Sequence, residues 1–393
     1  MKRILAIETS CDETAIALLG RDGSEVYHVL ADQTLSQIDI HREYGGVFPA
    51  LAKREHAKNI LPILRTIFSA TPHKGEITKL NAKQKSTLQE IFSHENGLAD
   101  EIIDFFVECE RPSIDVIAVT AGPGLEPALW VGVNIARALG LIWGIEVMPI
   151  NHMAGHIASA LVVKSGDTKE YKFAKPELPV AALLISGGHT EFALSEDLKS
   201  FKRIGMTRDD AVGESFDKVA RLLDLPYPGG PEISRLAEAS GNLKYPLPRP
   251  MIGSNDADMS FSGLKTAVRY LIRDLGELDQ EKKVAIAKAF QNSVIDVLAS
   301  KTNFILGKNN IKSFLVAGGV SANNRICEAL EKTCVENDIM FAKPHKSLST
   351  DNAIMIGVAS QILSEKTLGG EEVIQLNADG NWEIDKKYEN KSR

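Results

Sequence analysis

The sequence predicts an α/β fold of two similar lobes, on three observations. A short apolar run at residues 4–7, polar turn material at 8–14 and a second apolar run at 15–19 make a strand, turn, strand unit. The same arrangement returns at residues 180–185, 186–190 and 191–194. The 393 residues, 44% of them hydrophobic, are enough to bury the cores of two domains. Recurrence about half a chain apart points to a duplicated architecture whose small, polar hairpin tips can approach a phosphate. Either tip taken alone is ordinary hairpin chemistry.

The net charge of −7 leaves no positive field to draw the protein onto nucleic acid, so any RNA contact has to be local or assisted by a partner. The four cysteines, Cys11, Cys109, Cys327 and Cys334, form neither a close metal-binding pair nor a disulfide framework. With no secretory leader in the chain, that predicts a cytoplasmic protein. Residues 1–7 run at once into polar turn, and the apolar stretch 128–150 is interrupted by Asn134, Arg137 and several glycines. Neither reads as a membrane span.

After the first hairpin, Ala57, Ile60, Leu64, Ile67 and Phe68 recur at helical spacing, with Arg54, Lys58 and Arg65 on a neighbouring face. Such a basic stripe is ordinarily a solvated helix face; a weak RNA contact is the functional alternative. Residues 70–112 turn polar, with short helical runs at Leu88, Ile91 and Phe92 and at Ile102, Ile103, Phe105 and Phe106. They read as an inserted helical excursion outside the chemistry, dispensable to within about tenfold in rate. Residues 115–120 are a buried strand that Ala121-Gly122-Pro123-Gly124 turns into a small-residue helix; the glycines serve either a tight turn or a phosphate. A polar linker at 164–179 leads into the second lobe.

There Asp209, Asp210, Glu214 and Asp217 crowd the start of an amphipathic helix. Asp209 or Asp210 can cap it, whereas Asp217, mid-helix, has no capping duty and is available to a ribose or a metal. Residues 314–317 form another buried strand, ending in Gly318-Gly319-Val320-Ser321-Ala322-Asn323-Asn324. A glycine turn at a helix start, outside a strand C-terminal end, suits a nucleoside. Ser349-Thr350-Asp351-Asn352 opens a last helix, with Asp351 either its cap or an oxygen ligand.

Asn151-His152-Met153-Ala154-Gly155-His156 offers a metal pair: on a helix, four-residue spacing stacks both imidazoles on one face, where they suit zinc, iron, copper or nickel. Ordinary polar helix residues are the alternative. The metalloprotease helix carries a Glu directly after its first His as general base, and here that position is Met153. No Ser or Cys is paired with a base as covalent catalysis requires.

In order, these blocks resemble the TsaD family of tRNA adenosine threonylcarbamoyltransferases, once labelled sialoglycoprotein endopeptidases. The resemblance is carried by Ile7-Glu8-Thr9-Ser10-Cys11-Asp12-Glu13-Thr14, by His41 with Glu43-Tyr44-Gly45-Gly46, by Ala121 to Leu125 and by the His152 stretch. It continues through Ser186-Gly187-Gly188-His189-Thr190, the Asp210 to Lys218 block, Tyr227-Pro228-Gly229-Gly230-Pro231, Ser260-Phe261-Ser262-Gly263-Leu264-Lys265, the Gly318 turn and Thr350-Asp351-Asn352.

The resemblance implies a duplicated, two-lobed actin-like and sugar-kinase-like (ASKHA) ATPase fold with a central cleft. The first lobe would be 1–163 with its insertion at about 70–112, and the second 179–393, its last helix from about 349 returning to the cleft. It implies one divalent metal, usually iron with zinc as the alternative, on His152, His156 and Asp351, which are also the catalytic residues. Threonylcarbamoyl-AMP would lie on Leu184, Ile185, Ser186, Gly187, Gly188, Asp217, Gly230 and Asn323. Many relatives have an acid where this chain has Ser234, so a ribose contact there is not carried over. The implied reaction moves the threonylcarbamoyl group from that adenylate to N6 of the adenosine adjacent to the anticodon in tRNAs reading codons that begin with A. The implied partners are tRNA, a catalytically silent paralogue (TsaB-like) and a small ATPase (TsaE-like), with no membrane. A metallopeptidase, or a nucleotide-binding switch module indifferent to His152 and His156, are the competing readings.

Overall fold

The computed structural model describes residues 1–23, 25–95, 97–166, 168–363 and 366–389, with backbone alone for 73–76. Ser24 of the expected first lobe, Asn96 of its insertion, Asp167 of the expected linker and residues 364, 365 and 390–393 of the expected second lobe lie outside the described residues. The strands in chain order are β1 (Lys2–Glu8), β2 (Glu13–Arg21), β3 (Val26–Ser36), β4 (His73–Ile77), β5 (Glu110–Pro112), β6 (Val116–Gly122), β7 (Glu146–Asn151), β8 (Val162–Lys164), β9 (Glu170–Phe173), β10 (Val180–Ile185), β11 (Thr190–Ser195), β12 (Lys202–Met206), β13 (Ser313–Ala317) and β14 (Met340–Ala342). The helices are α1 (Ile38–Arg42), α2 (Pro49–Ser69), α3 (Ala82–Ile91), α4 (Leu98–Glu108), α5 (Glu126–Trp143), α6 (His152–Ala160), α7 (Val212–Leu222), α8 (Gly229–Ala237), α9 (Ser262–Leu275), α10 (Gln280–Lys308), α11 (Asn324–Glu336) and α12 (Ala353–Ile362).

Two compact units result, one of Met1–Asp39, Val47–Ala174 and Asp351–Arg393, the other of Ile40–Gly46 and Lys175–Thr350. The first is built on a seven-stranded sheet of order β7-β6-β1-β2-β3-β9-β8. Its centre is β1, paired antiparallel to β2 and parallel to β6. Residues 4–7 are apolar on both faces because both faces are covered: Leu5 and Ile7 join the core formed with α2 and α5, while Ala6 meets α12 at Gly357. The second unit holds a five-stranded sheet of order β12-β11-β10-β13-β14. Hairpin β10–β11 is antiparallel and β13 runs parallel beside β10. The order β3-β2-β1-β6-β7 is thus repeated strand for strand as β12-β11-β10-β13-β14, with the same parallel and antiparallel pairings. The repeated hairpins in the sequence mark a true duplication of topology.

Three boundaries differ from the sequence expectation. The last helix does not belong with the second unit: α12 is apolar on nearly every side and is buried by β1, β2 and α6 of the first. Conversely, Ile40–Gly46 packs with the second unit, where Arg42 Nε donates to Tyr227 O at 3.0 Å and Arg221 donates to Gly45 O. Part of the expected linker is structured, since β8 and β9 extend the first sheet beyond β3.

The insertion is also less detached than its composition predicts. Leu88 and Ile91 on α3 with Phe92 at its end, and Ile102, Phe105 and Phe106 on α4, are buried in the first core, where Phe105 meets Phe68 and Trp143. Phe106 meets Trp143 edge-on at 5.1 Å between ring centroids. Glu95, 4% exposed, lies 3.2 Å from Lys53 Nζ and accepts from Asn134 Nδ2 at 3.2 Å. A polar surface hides an apolar inner face at helical spacing.

A candidate metal centre and candidate nucleotide turns

Asn151 ends β7 and starts α6. Its Oδ1 accepts from the amides of Met153 at 2.9 Å and Ala154 at 3.2 Å, while its Nδ2 donates to Trp382 O at 3.0 Å. A helix beginning at that cap puts His152 and His156 one turn apart on one face, with ring centroids 4.6 Å apart. Asp351 arrives from the start of α12. The cap of that helix is Asn352, whose side chain accepts from Met355 N at 2.9 Å. Of the two roles open to Asp351 in the sequence, capping is therefore taken by its neighbour.

The helices meet closely because Gly155, between the two histidines, has no side chain: a Cβ there would lie 2.8 Å from Ile356 Cδ1. This approach brings Asp351 Oδ1 to 3.2 Å from His156 Nε2 and 3.5 Å from His152 Nε2. Ligand atoms of the three residues all lie within 4.8 Å of one another.

Sequence reasoning missed Glu8 as a member of this centre. Fully buried at the end of β1, its Oε1 accepts from Ser10 N at 2.5 Å and its Oε2 from Thr120 Oγ1 at 2.6 Å. Oε2 also lies 3.1 Å from His152 Nδ1, as does Ser10 Oγ. The available signal was an acid directly after four apolar residues of a central strand, a place where an unpartnered carboxylate is costly.

The charges of the centre follow from these distances. Burial disfavours the imidazolium of His152, but Asp351 and Glu8 outweigh it and raise the ring to about 9. Burial and the neighbouring positive His152 lower His156. Burial raises the carboxyl of Glu8, yet the facing His152 wins and holds it below its ordinary value. Burial, and then the carboxylates of Asp351 and Asp12, push Glu13 well above its usual range. This negative pocket fits a cation, and so does His156: both its ring nitrogens are buried without a hydrogen-bond partner among the described residues, although Nε2 faces a carboxylate. Two imidazole nitrogens and a carboxylate oxygen are a donor set for iron or zinc.

The second unit gathers the expected nucleotide residues differently. Leu184 and Ile185 are fully buried in β10, so their side chains belong to the core. The tip is closed by Ser186 N donating to His189 O at 2.9 Å and His189 N to Ser186 Oγ at 3.1 Å. Gly213 packs directly on it, where a Cβ would meet Ser186 O at 2.6 Å. At Gly187, Gly188 and Gly230, by contrast, a Cβ would touch nothing within 4 Å, and none has the positive φ that demands glycine. Gly253, Gly263, Gly307 and Gly319 share these open surroundings, so at Gly187, Gly188 and Gly230 the backbone is simply uncovered by side chains.

Two carboxylate expectations are corrected. Helix α7 begins after Ala211 with no side-chain cap. Asp209 instead accepts from Phe261 N at 2.7 Å, Ser262 N at 3.1 Å, Ser260 Oγ at 2.5 Å and Ser262 Oγ at 2.7 Å, pinning the start of α9. Burial opposes its charge, but these donors bring it down to about 2. Asp210 pairs with Lys218 at 2.7 Å. Asp217 does have a duty at a helix start: its Oδ1 accepts from Gly229 N at 2.7 Å, holding α8. Asn323 caps α11 through Ile326 N and donates to Gln291 Oε1 at 2.9 Å. Ser234 lies half-buried on α8.

The family profile of TsaD, described as tRNA N6-adenosine threonylcarbamoyltransferase, matches residues 28–79 and 94–358. The chain belongs to that family. A tRNA N6-adenosine threonylcarbamoyltransferase of Chromobacterium violaceum is 39% identical over 360 residues, spanning 91% of each chain. One from Paraburkholderia xenovorans is 38% identical over 361 residues, again 91% of each. Among solved structures, full-length HypF in its phosphate- and nucleotide-bound form shares the fold, with a TM-score of 0.51 at 15% identity over 91% of this chain and 46% of that one. As a member of the TsaD family the chain is a transferase that modifies tRNA, on the actin-like ASKHA fold expected of it.

The stretch the TsaD profile passes over, 80–93, is narrower than the expected insertion and consists mainly of α3. The basic stripe on α2 is largely matched by acids: Arg54 and Lys58 both face Glu55, at 3.5 and 3.6 Å, and Arg65 pairs with Glu108 at 2.8 Å. That favours the solvated face over an RNA contact. No helix among the described residues is long and apolar enough to cross a membrane.

Proposed function

We propose that this cytoplasmic transferase uses threonylcarbamoyl-AMP as donor and N6 of the adenosine adjacent to the anticodon as acceptor, in tRNAs reading codons that begin with A. In that reaction the N6–carbonyl bond forms, the bond from that carbonyl to the AMP phosphate breaks, and N6 gives up a proton. The observation that carries the reading is the convergence of His152, His156 and Asp351 in one centre of a chain that belongs to a tRNA-modifying family.

His152, His156 and Asp351 would hold a divalent metal, iron with zinc as the alternative, supplying a Lewis acid for a carbonyl or phosphate oxygen. The remaining work falls to the chain. Glu8 and Ser10 fix the His152 ring through Nδ1 and leave Nε2 directed at Asp351. The open backbone at Gly187, Gly188 and Gly230 would let the adenylate approach amide donors, and Asp217 would hold α8 in place beneath it. Asn323, already capping α11, would border the nucleoside. Because two bulky substrates have to be oriented rather than activated by a protein nucleophile, most of the rate would come from positioning. A silent TsaB-like paralogue and a small TsaE-like ATPase are the proposed protein partners.

The test is mass spectrometry of tRNA nucleosides from cells depleted of this protein and then supplied with the wild-type chain or with His156→Ala. Wild type should restore N6-threonylcarbamoyladenosine and His156→Ala should not. Persistence of the modified nucleoside after complete depletion would contradict the reading.

A further inference from the structure

We propose that the outer face of α9, formed by Lys265, Arg269 and Arg273 with Tyr270 beside them, is a tRNA-binding surface. The inference rests on the reading that the chain acts on tRNA, and it names where on the second unit the polyanion is held.

Helix α9 buries Leu264 and Val268 and packs Leu271, Ile272 and Leu275 against the core of the second unit. Lys265, Arg269 and Arg273 follow one another at four-residue spacing, rising about 6 Å at each step, from the half-buried Lys265 beside the core-facing side to the exposed Arg269 and Arg273. Lys265 and Arg269 have no ion-pair or hydrogen-bond partner among the described residues. Arg273 is matched only by its exposed neighbour Asp274, at 2.9 Å. Like charges one turn apart disfavour a helix, and two of the three cations in this row are unmatched on a chain of net charge −7, which leaves the row open to an external anion. The contrast is the stripe on α2, where each cation has an acid beside it.

Tyr270 is 52% exposed, and the guanidinium of Arg273 lies 5.0 Å from its ring centroid. An aromatic ring and an arginine plane amid cations are what single-stranded RNA stacks on, whereas a protein partner would be matched by an apolar patch with paired charges. The helix is also firmly placed: the four hydrogen bonds to Asp209 fix its first turn. A rigid cationic row with one exposed aromatic fits a nucleic acid loop.

Two charge-matched triple variants test this, Lys265→Gln/Arg269→Gln/Arg273→Gln on α9 and Arg54→Gln/Lys58→Gln/Arg65→Gln on α2. Affinity for unmodified tRNA is measured across a salt series, with circular dichroism confirming the fold and the single variant Arg269→Gln as a gentler substitute. The α9 variant should lower the log–log salt slope by about 1.5 units, two lost phosphate contacts, while the α2 variant stays near wild type. Equal effects in both variants, or an unchanged slope in the α9 variants, would overturn the proposal. An unchanged slope with activity lost only in the mixture containing partner proteins would assign the face to a protein instead. Failure of wild type to bind tRNA would overturn the underlying reading as well, so the two failures are distinguishable.

Discussion

Glu8 Oε2 lies 3.1 Å from Nδ1 of His152, across the ring from Asp351, whose Oδ1 is 3.5 Å from Nε2. A buried carboxylate on one imidazole nitrogen fixes the tautomer and orientation that the other nitrogen needs to act as a ligand. Glu8→Gln keeps the shape but not the charge. It should weaken metal affinity roughly 10- to 100-fold, measured by competition with a chelator. Affinity equal to wild type would remove Glu8 from the centre.

The ligand set makes a stoichiometric demand. If the three residues are the ligands, as proposed, His152→Ala/His156→Ala should lose bound metal by elemental analysis, since a single carboxylate does not hold an ion that needs three donors. One equivalent of metal retained in the double variant would place the site elsewhere.

In the metal-free protein His152 carries a raised value of about 9, against an ordinary 6.5, because Asp351 and Glu8 overcome its burial. A raised histidine contributes stability that is fully present below its unfolded value and is lost as pH climbs through its folded one. The thermal midpoint of metal-free protein should therefore decline between about pH 6.5 and 9, and His152→Gln should flatten that decline. Metal binding, which displaces the same proton, should strengthen over the same window. A decline equally steep in His152→Gln would show that another group is responsible.

Much of the architecture was legible in the order of apolar and polar runs. The two hairpins were visible at 4–19 and 180–194 because buried central strands read as continuous apolar runs, and their tips as polar ones. His152, His156 and Asp351 were legible as types and spacing. What brings them together was not: Gly155 admits α12, and Asn352 takes the capping role. Both are relations between helices far apart in sequence. The boundary at Asp351 was missed for the same reason, since an all-apolar helix such as α12 does not say which sheet will bury it. The duties of Asp209 and Asp217 were misjudged because each serves the start of a helix later in the chain, α9 and α8 respectively.

The inner face of the insertion gives a stability prediction. Phe92 is 2% exposed within the first core. Phe92→Ala should cost about 3–5 kcal/mol, read from denaturant unfolding. Removal of residues 74–96 should cost more, because Leu88, Ile91 and the buried Glu95 go with it. A deletion variant as stable as wild type would restore the view of a detached excursion.

The most direct measurement is transfer in a reconstituted mixture of this protein, unmodified tRNA, threonylcarbamoyl-AMP and the partner proteins, with the tRNA nucleosides read by mass spectrometry. Wild-type protein should yield N6-threonylcarbamoyladenosine at the position beside the anticodon, and Asp351→Ala should slow its formation while leaving adenylate affinity near wild type. No modified nucleoside from wild type, in a mixture where the Chromobacterium violaceum relative is active, would contradict the assignment.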